Sequence, residues 1–81
     1  MNEKKLDWLN SLIADVYEVD KSILNPDTSF LEELNADSLK RTVLSAEIEE
    51  ETGVYISVAQ LLYMEKLADL YKELGEWLNE K

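Results

Sequence analysis

The sequence predicts a small all-α protein: a four-helix bundle with three longer helices, one short helix and a long first loop. Three observations lead there. Apolar residues recur at three- and four-residue steps through most of the chain. One proline and two glycines among 81 residues leave too few breakers for a turn-rich β fold. Hydrophobic residues make up 46 % of the chain, enough for one core, so residues 1–81 read as one domain near the lower size limit for such a core.

The first helix is expected from Glu3 to Val19. Leu6, Leu9, Ile13, Val16 and Tyr17 form its apolar stripe, with Asp7, Asn10, Ser11, Asp15 and Glu18 between them. The segment "DKSILNPDTSFLEELNAD" follows. Pro26 disfavours helix at Asn25, and Asp27, Thr28 and Ser29 are turn formers. Ile23, Leu24, Phe30, Leu31 and Leu34 are too apolar for a free linker, so this loop is expected to strap across the core with a short helical turn at Phe30 to Leu34.

The second helix should begin at Asp37 or Ser38 and end near Thr52, with Gly53 as its stop. Leu39, Leu44 and Ile48 are its expected core contacts, with Thr42, Ser45 and Ala46 as smaller neighbours. Ser57 suits the cap of a short third helix bearing Val58, Leu61 and Leu62. A last helix is expected from Glu65 to Asn79, with Leu67, Leu70, Tyr71, Leu74, Trp77 and Leu78 on one stripe. Trp8, Tyr55, Tyr63, Tyr71 and Trp77 read as core or edge packing rather than a ligand box.

What is missing narrows the function. The chain has no cysteine and no histidine. That removes disulfides, Ser–His and Cys–His nucleophile pairs, and any zinc site needing thiolate or imidazole ligands. Gly53 and Gly75 stand alone, so there is no glycine-rich phosphate loop, and no calcium-loop pattern occurs. Runs such as Glu49, Glu50 and Glu51 read as a solvated helix face. Neither catalytic residues nor a metal site is expected, so the chain is not read as an enzyme.

The net charge of −10 disfavours nucleic acid and anionic membranes as partners and favours basic protein surfaces. "MNEKKLDWLNSL" lacks the apolar run of a signal peptide, and no stretch is long enough to span a bilayer. The expectation is a cytoplasmic monomer.

One stretch remains, "NADSLKR" at residues 35–41, within "TSFLEELNADSLKRTVLSAEIEEETGVYI". Taken alone, Ser38 would be a helix cap. In context the chain resembles the acyl carrier protein family, whose long first loop ends in Gly-x-Asp-Ser-Leu at the start of the second helix. The match needs no gap from Ser29 to Leu74. Ser29-Phe30 corresponds to the loop's apolar anchor, Leu34 to its last core residue, and Leu44, Ile48 and Ile56 to core positions.

The resemblance implies 4′-phosphopantetheine attached covalently to the Ser38 hydroxyl, its thiol holding acyl groups as thioesters for fatty acid, related lipid or polyketide synthesis. Asp37 would aid the attaching enzyme and its metal, and Leu39 would lie beside the arm. The implied partners are a phosphopantetheinyl transferase and the enzymes that load and transfer acyl groups. Leu39, Lys40, Val43, Ala46 and Glu47 would form the docking face. Thr42, Ser45, Ile48, Ile56, Leu61, Leu62 and Met64 would line the acyl cavity. An aminoacyl or peptidyl carrier of nonribosomal synthesis is the nearest alternative, and an unmodified helical interaction module is one of a different class.

The chain departs from the family pattern in places. Asn35 replaces the usual glycine, and asparagine tolerates positive φ. Lys40, Arg41 and Val43 stand where acidic or neutral residues are common, and Ala59 and Leu62 where acids are common. Thr42, Ser45 and Thr52 make the cavity-facing side of the second helix more polar than usual. Basic side chains on the docking face would repel a basic partner, which suggests a specialised carrier.

Overall fold

The computed structural model describes residues 2–30, 32–34 and 38–80. Asn2 opens α1 (Glu3–Tyr17), its side-chain oxygen accepting from the N–H groups of Lys4 and Lys5 at 3.0 and 3.2 Å. Leu9, Ile13 and Tyr17 are buried, while Leu6 and Val16 pack on the core's edge. The helix stops two residues before the expected Val19. Glu18 turns left-handed (φ 56°), and the N–H groups of Glu18 and Val19 both donate to the Ala14 carbonyl, closing the end in a Schellman-type arrangement.

The long loop is an ordered strap, as expected, and it opens with a 3₁₀ turn (Lys21–Ile23) that sequence periodicity did not indicate. Asp20 caps that turn through the Ser22 N–H. Thr28 is 1 % exposed, and its hydroxyl donates to the Ile23 carbonyl while accepting from the Asn25 N–H. Ser29's carbonyl accepts from the N–H groups of Glu33 and Leu34, a single turn of helical type close to where one was expected. Phe30 and Leu34 are buried, Ile23 is exposed, and Leu31 lies outside the described residues.

Next comes α2 (Ser38–Thr52), ended by Gly53 at φ 75°, whose N–H donates to Glu49. Leu44 and Ile48 are fully buried. Leu39, expected among the core contacts, is 73 % exposed. It lies five residues before Leu44, about 140° away around the helix axis, so both cannot face the core. Ser45 is buried, and its hydroxyl donates to the Ile56 carbonyl, tying α2 to the segment before α3.

The short α3 (Val58–Tyr63) starts with a reciprocal cap, Ser57 Oγ accepting from Gln60 N–H and Gln60 Oε1 accepting from Ser57 N–H. Leu61 is buried and Leu62 exposed. The single last helix expected over Glu65–Asn79 is two helices, α4 (Leu67–Glu73) and α5 (Gly75–Asn79), with a break at Leu74. Glu65 and Lys66 do not join α4, because Lys66 is extended and pairs with Ser29 in an isolated bridge. Leu67, Leu70, Tyr71, Leu74 and Leu78 still present one buried face, so the stripe survives the break.

The aromatic residues divide. Trp8 and Trp77 pack edge to face at 5.5 Å, and Tyr71 donates its hydroxyl to Asn10 Oδ1 at 2.6 Å. Tyr55 and Tyr63, expected to pack, are 65 % and 83 % exposed.

Two stability effects are expected. Thr28→Val removes the partner of the Ile23 carbonyl and of the Asn25 N–H at a part-buried site, at a cost of about 0.5–1.5 kcal/mol per hydrogen bond, read as a fall in Tm of several degrees. The second concerns pH. Asp69's carboxylate accepts from the N–H groups of Glu65 and Lys66, which holds its pKa below the ordinary aspartate value. A depressed folded pKa adds stability above the unfolded value of about 3.9, and that stability is lost as pH falls through the folded pKa. The Tm gap between wild type and Asp69→Ala is therefore expected to be full at neutral pH and to narrow in strong acid.

Candidate functional site

Ser38 is the first residue of α2 and is exposed. A helix start presents backbone N–H groups without intrahelical partners and the positive end of the helix dipole, a setting that suits a phosphate ester. Lys40 and Arg41 add two cations within the same turn. With no histidine in the chain to take its proton, Ser38 is suited to being modified by another protein rather than to acting as a nucleophile itself. Asn35, Ala36 and Asp37 lie outside the described residues, and with them the expected turn at Asn35 and the expected role of Asp37.

Beyond Ser38, Leu39, Val43, Ala46 and Glu47 follow one another along one face of α2, and all are exposed. Lys40 differs from them. It is half-buried, and its Nζ lies 3.9 Å from Glu18 at the end of α1, so its charge is drawn toward that helix. Glu49, Glu50 and Glu51 are exposed further along.

A cavity of about 530 Å³ opens between the long loop, the start of α2 and the end of α3. The loop supplies Asp27, Ser29, Phe30, Glu32 and Glu33. Arg41 comes from α2, and Leu62, Met64, Glu65 and Lys66 come from α3 and the link to α4. Of the seven expected cavity residues, Leu62 and Met64 stand in this wall. Ile48, Ile56 and Leu61 are buried in the core, where they fill space rather than line it. Ser45 is occupied by the Ile56 carbonyl, and Thr42 is exposed with its hydroxyl donating back to the Ser38 carbonyl at 2.9 Å.

Phe30, Arg41 and the loop's acids also stand in this wall. Arg41 carried a usable signal, since it lies three residues after Ser38 and therefore on the same side of the helix. Its guanidinium neck is packed, and the Nε–H is buried with no hydrogen-bond partner.

The chain is similar to known proteins over most of its length. A family model described as "Phosphopantetheine attachment site" matches residues 7–74. The chain is 39 % identical over 72 residues to an acyl carrier protein of Solidesulfovibrio magneticus, covering 84 % of this chain and 92 % of that one. It is 32 % identical over 72 residues to the polyketide-8 synthase acyl carrier protein 2 of Streptomyces avermitilis, covering 89 % and 83 %. An acyl carrier protein of Thermosynechococcus vestitus is 42 % identical over 57 residues, covering 69 % and 70 %. Such proteins are carriers rather than catalysts, and their prosthetic group is a covalently attached 4′-phosphopantetheine. An exposed serine at a helix start, with Arg41 one turn further along, fits such a group. By sequence match and by fold, the chain belongs to the acyl carrier protein family.

Proposed function

We propose that Ser38 bears the phosphopantetheine arm and that the loaded arm carries acyl thioesters between biosynthetic enzymes in the cytoplasm. The observation that supports this most directly is Ser38's exposure as the first residue of α2, inside the matched span 7–74. In the attaching reaction the Ser38 oxygen forms a bond to the β-phosphorus of coenzyme A. The pyrophosphate linkage breaks, adenosine 3′,5′-bisphosphate leaves, and the serine proton passes to a base of the transferase. Asp37 is assigned to helping the transferase and its metal engage the site.

Leu39, Val43, Ala46 and Glu47 form the docking face, and the exposed acids after them attract basic partner surfaces. Docking is weak and short-lived, because one carrier must leave each enzyme to meet the next. Tethering raises the effective concentration of cargo at each partner and so offsets the weak docking.

The pathway is fatty acid, related lipid or polyketide synthesis, and a dedicated carrier within it is the reading favoured by the surface. Val43 puts an apolar residue on the docking face, 42 % exposed, and Arg41 puts a cation in the cavity wall. With Lys40 drawn toward Glu18, these two residues carry most of the specialisation.

Incubation with coenzyme A, magnesium and a phosphopantetheinyl transferase is expected to add one phosphopantetheine by intact mass. Ser38→Ala is expected to remove the gain entirely. No gain with several transferases would leave an unmodified helical module as the better reading. Leu39→Ala should leave Tm nearly unchanged, since the side chain is 73 % exposed. The same substitution is expected to raise a partner enzyme's KM by roughly fivefold to tenfold, about 1–1.4 kcal/mol.

A further inference from the structure

We infer that Arg41 binds an oxyanion borne by the loaded arm, either the phosphodiester on Ser38 or a carboxylate on the cargo, at the wall of the 530 Å³ cavity. The inference rests on attachment at Ser38.

Its first support is an unmet hydrogen bond. Arg41 Nε–H is buried without a partner, and leaving a charged group's donor dry and unbonded is unfavourable. The second is the lack of an internal counter-charge. Asp27, Glu32, Glu33 and Glu65 line the same cavity, yet Arg41 joins no ion pair among the described residues. Two of those acids already have partners: Asp27 lies 3.8 Å from Lys66 Nζ, and Glu33 accepts from the Ser29 N–H at 3.0 Å.

Position supplies the third support. Residues three apart on a helix have Cβ atoms about 5–6 Å apart, so Arg41 stands on the same side of α2 as Ser38. Its planar fork matches phosphate and carboxylate oxygens. The acids around it also explain why the ligand should be tethered. They repel a free anion from solution, whereas an anion fixed to Ser38 is held near Arg41 at high effective concentration. The cavity wall itself is mixed, with Phe30, Leu62 and Met64 as its apolar members, which suits a short polar-ended cargo better than a long alkyl chain.

The test follows the Arg41 Nε–H resonance in ¹⁵N-labelled protein, assigned by its loss in Arg41→Gln. Four forms are compared: apo, and protein loaded from coenzyme A, acetyl-coenzyme A and succinyl-coenzyme A, each verified by intact mass. A shift on going from apo to the unacylated arm, unchanged by acetylation, supports the phosphodiester as the ligand. A shift seen only in the succinyl form supports the cargo carboxylate. In the first case Arg41→Gln should also move the ³¹P resonance of the arm, with Arg41→Lys restoring part of the change. A resonance unmoved in every loaded form, or moved equally by acetyl and succinyl but not by the bare arm, overturns the inference. If the mass gain itself fails, attachment at Ser38 is what has failed. A mass gain with an unmoved resonance refutes only the role of Arg41.

Discussion

The structure depends on a short stretch of backbone pairing between the long loop and the start of α4. Leu67 and Ala68 begin that helix with N–H groups that no earlier turn of helix can satisfy, and they donate to the carbonyls of Thr28 and Pro26, both at 3.0 Å. Phe30 N–H returns the contact by donating to the Glu65 carbonyl. The loop thus acts as the cap of a helix far from it in sequence. Once pinned, it delivers Phe30 and Leu34 to the core and holds Asp27, Ser29 and Phe30 opposite Glu65 and Lys66. The cavity that Arg41 lines exists because these hydrogen bonds place its two walls.

The remaining elements close around that pairing with modest forces. Asn2 joins the ends of the described chain, its backbone N–H donating to Leu78 and its side chain to Glu80. Lys5 reaches the Trp77 carbonyl and lies 4.9 Å from the Trp77 ring centroid. Four ion pairs among the described residues link separate elements, from Lys5, Lys21, Lys40 and Lys66 to Glu80, Asp7, Glu18 and Asp27. Exposed pairs of this kind contribute about 0–1 kcal/mol each. Stability therefore rests on the buried leucines and isoleucines, each contributing about 1.5–3 kcal/mol on burial, against the self-repulsion of a chain at −10.

Much of this was legible in the residues, and the failures have physical causes. Helix α1, α2 with its Gly53 stop, and the Ser57 cap follow from local chemistry, and local chemistry won there. The break at Leu74 was hidden because the residues on either side keep the same apolar face toward the core. Lys66's extended conformation depends on Ser29, a partner 37 positions away, and periodicity within one segment carries no trace of it. At the site, Ser38's place at the start of α2 was legible from the residues. Arg41's place on the same side of that helix was legible in its spacing, but the loop residues that share its cavity were not, because they depend on where the loop returns. Leu39 is apolar but stands about 140° from Leu44, and its exposure fits the expected place beside the arm rather than the expected core contact.

That angular separation explains how α2 can serve two purposes. One face, with Leu44, Ser45 and Ile48, is locked to the core and to Ile56. The opposite face, with Leu39, Val43, Ala46 and Glu47, carries almost none of the fold's burial, so its residues can change without repacking the interior. Lys40 and Arg41 show how finely the same helix separates roles. They are adjacent in sequence, yet a 100° step sends one toward Glu18 of α1 and the other into the cavity wall. Two neighbouring cations thus meet different surroundings: Lys40 lies near Glu18 at the end of α1, and Arg41 stands in the cavity wall.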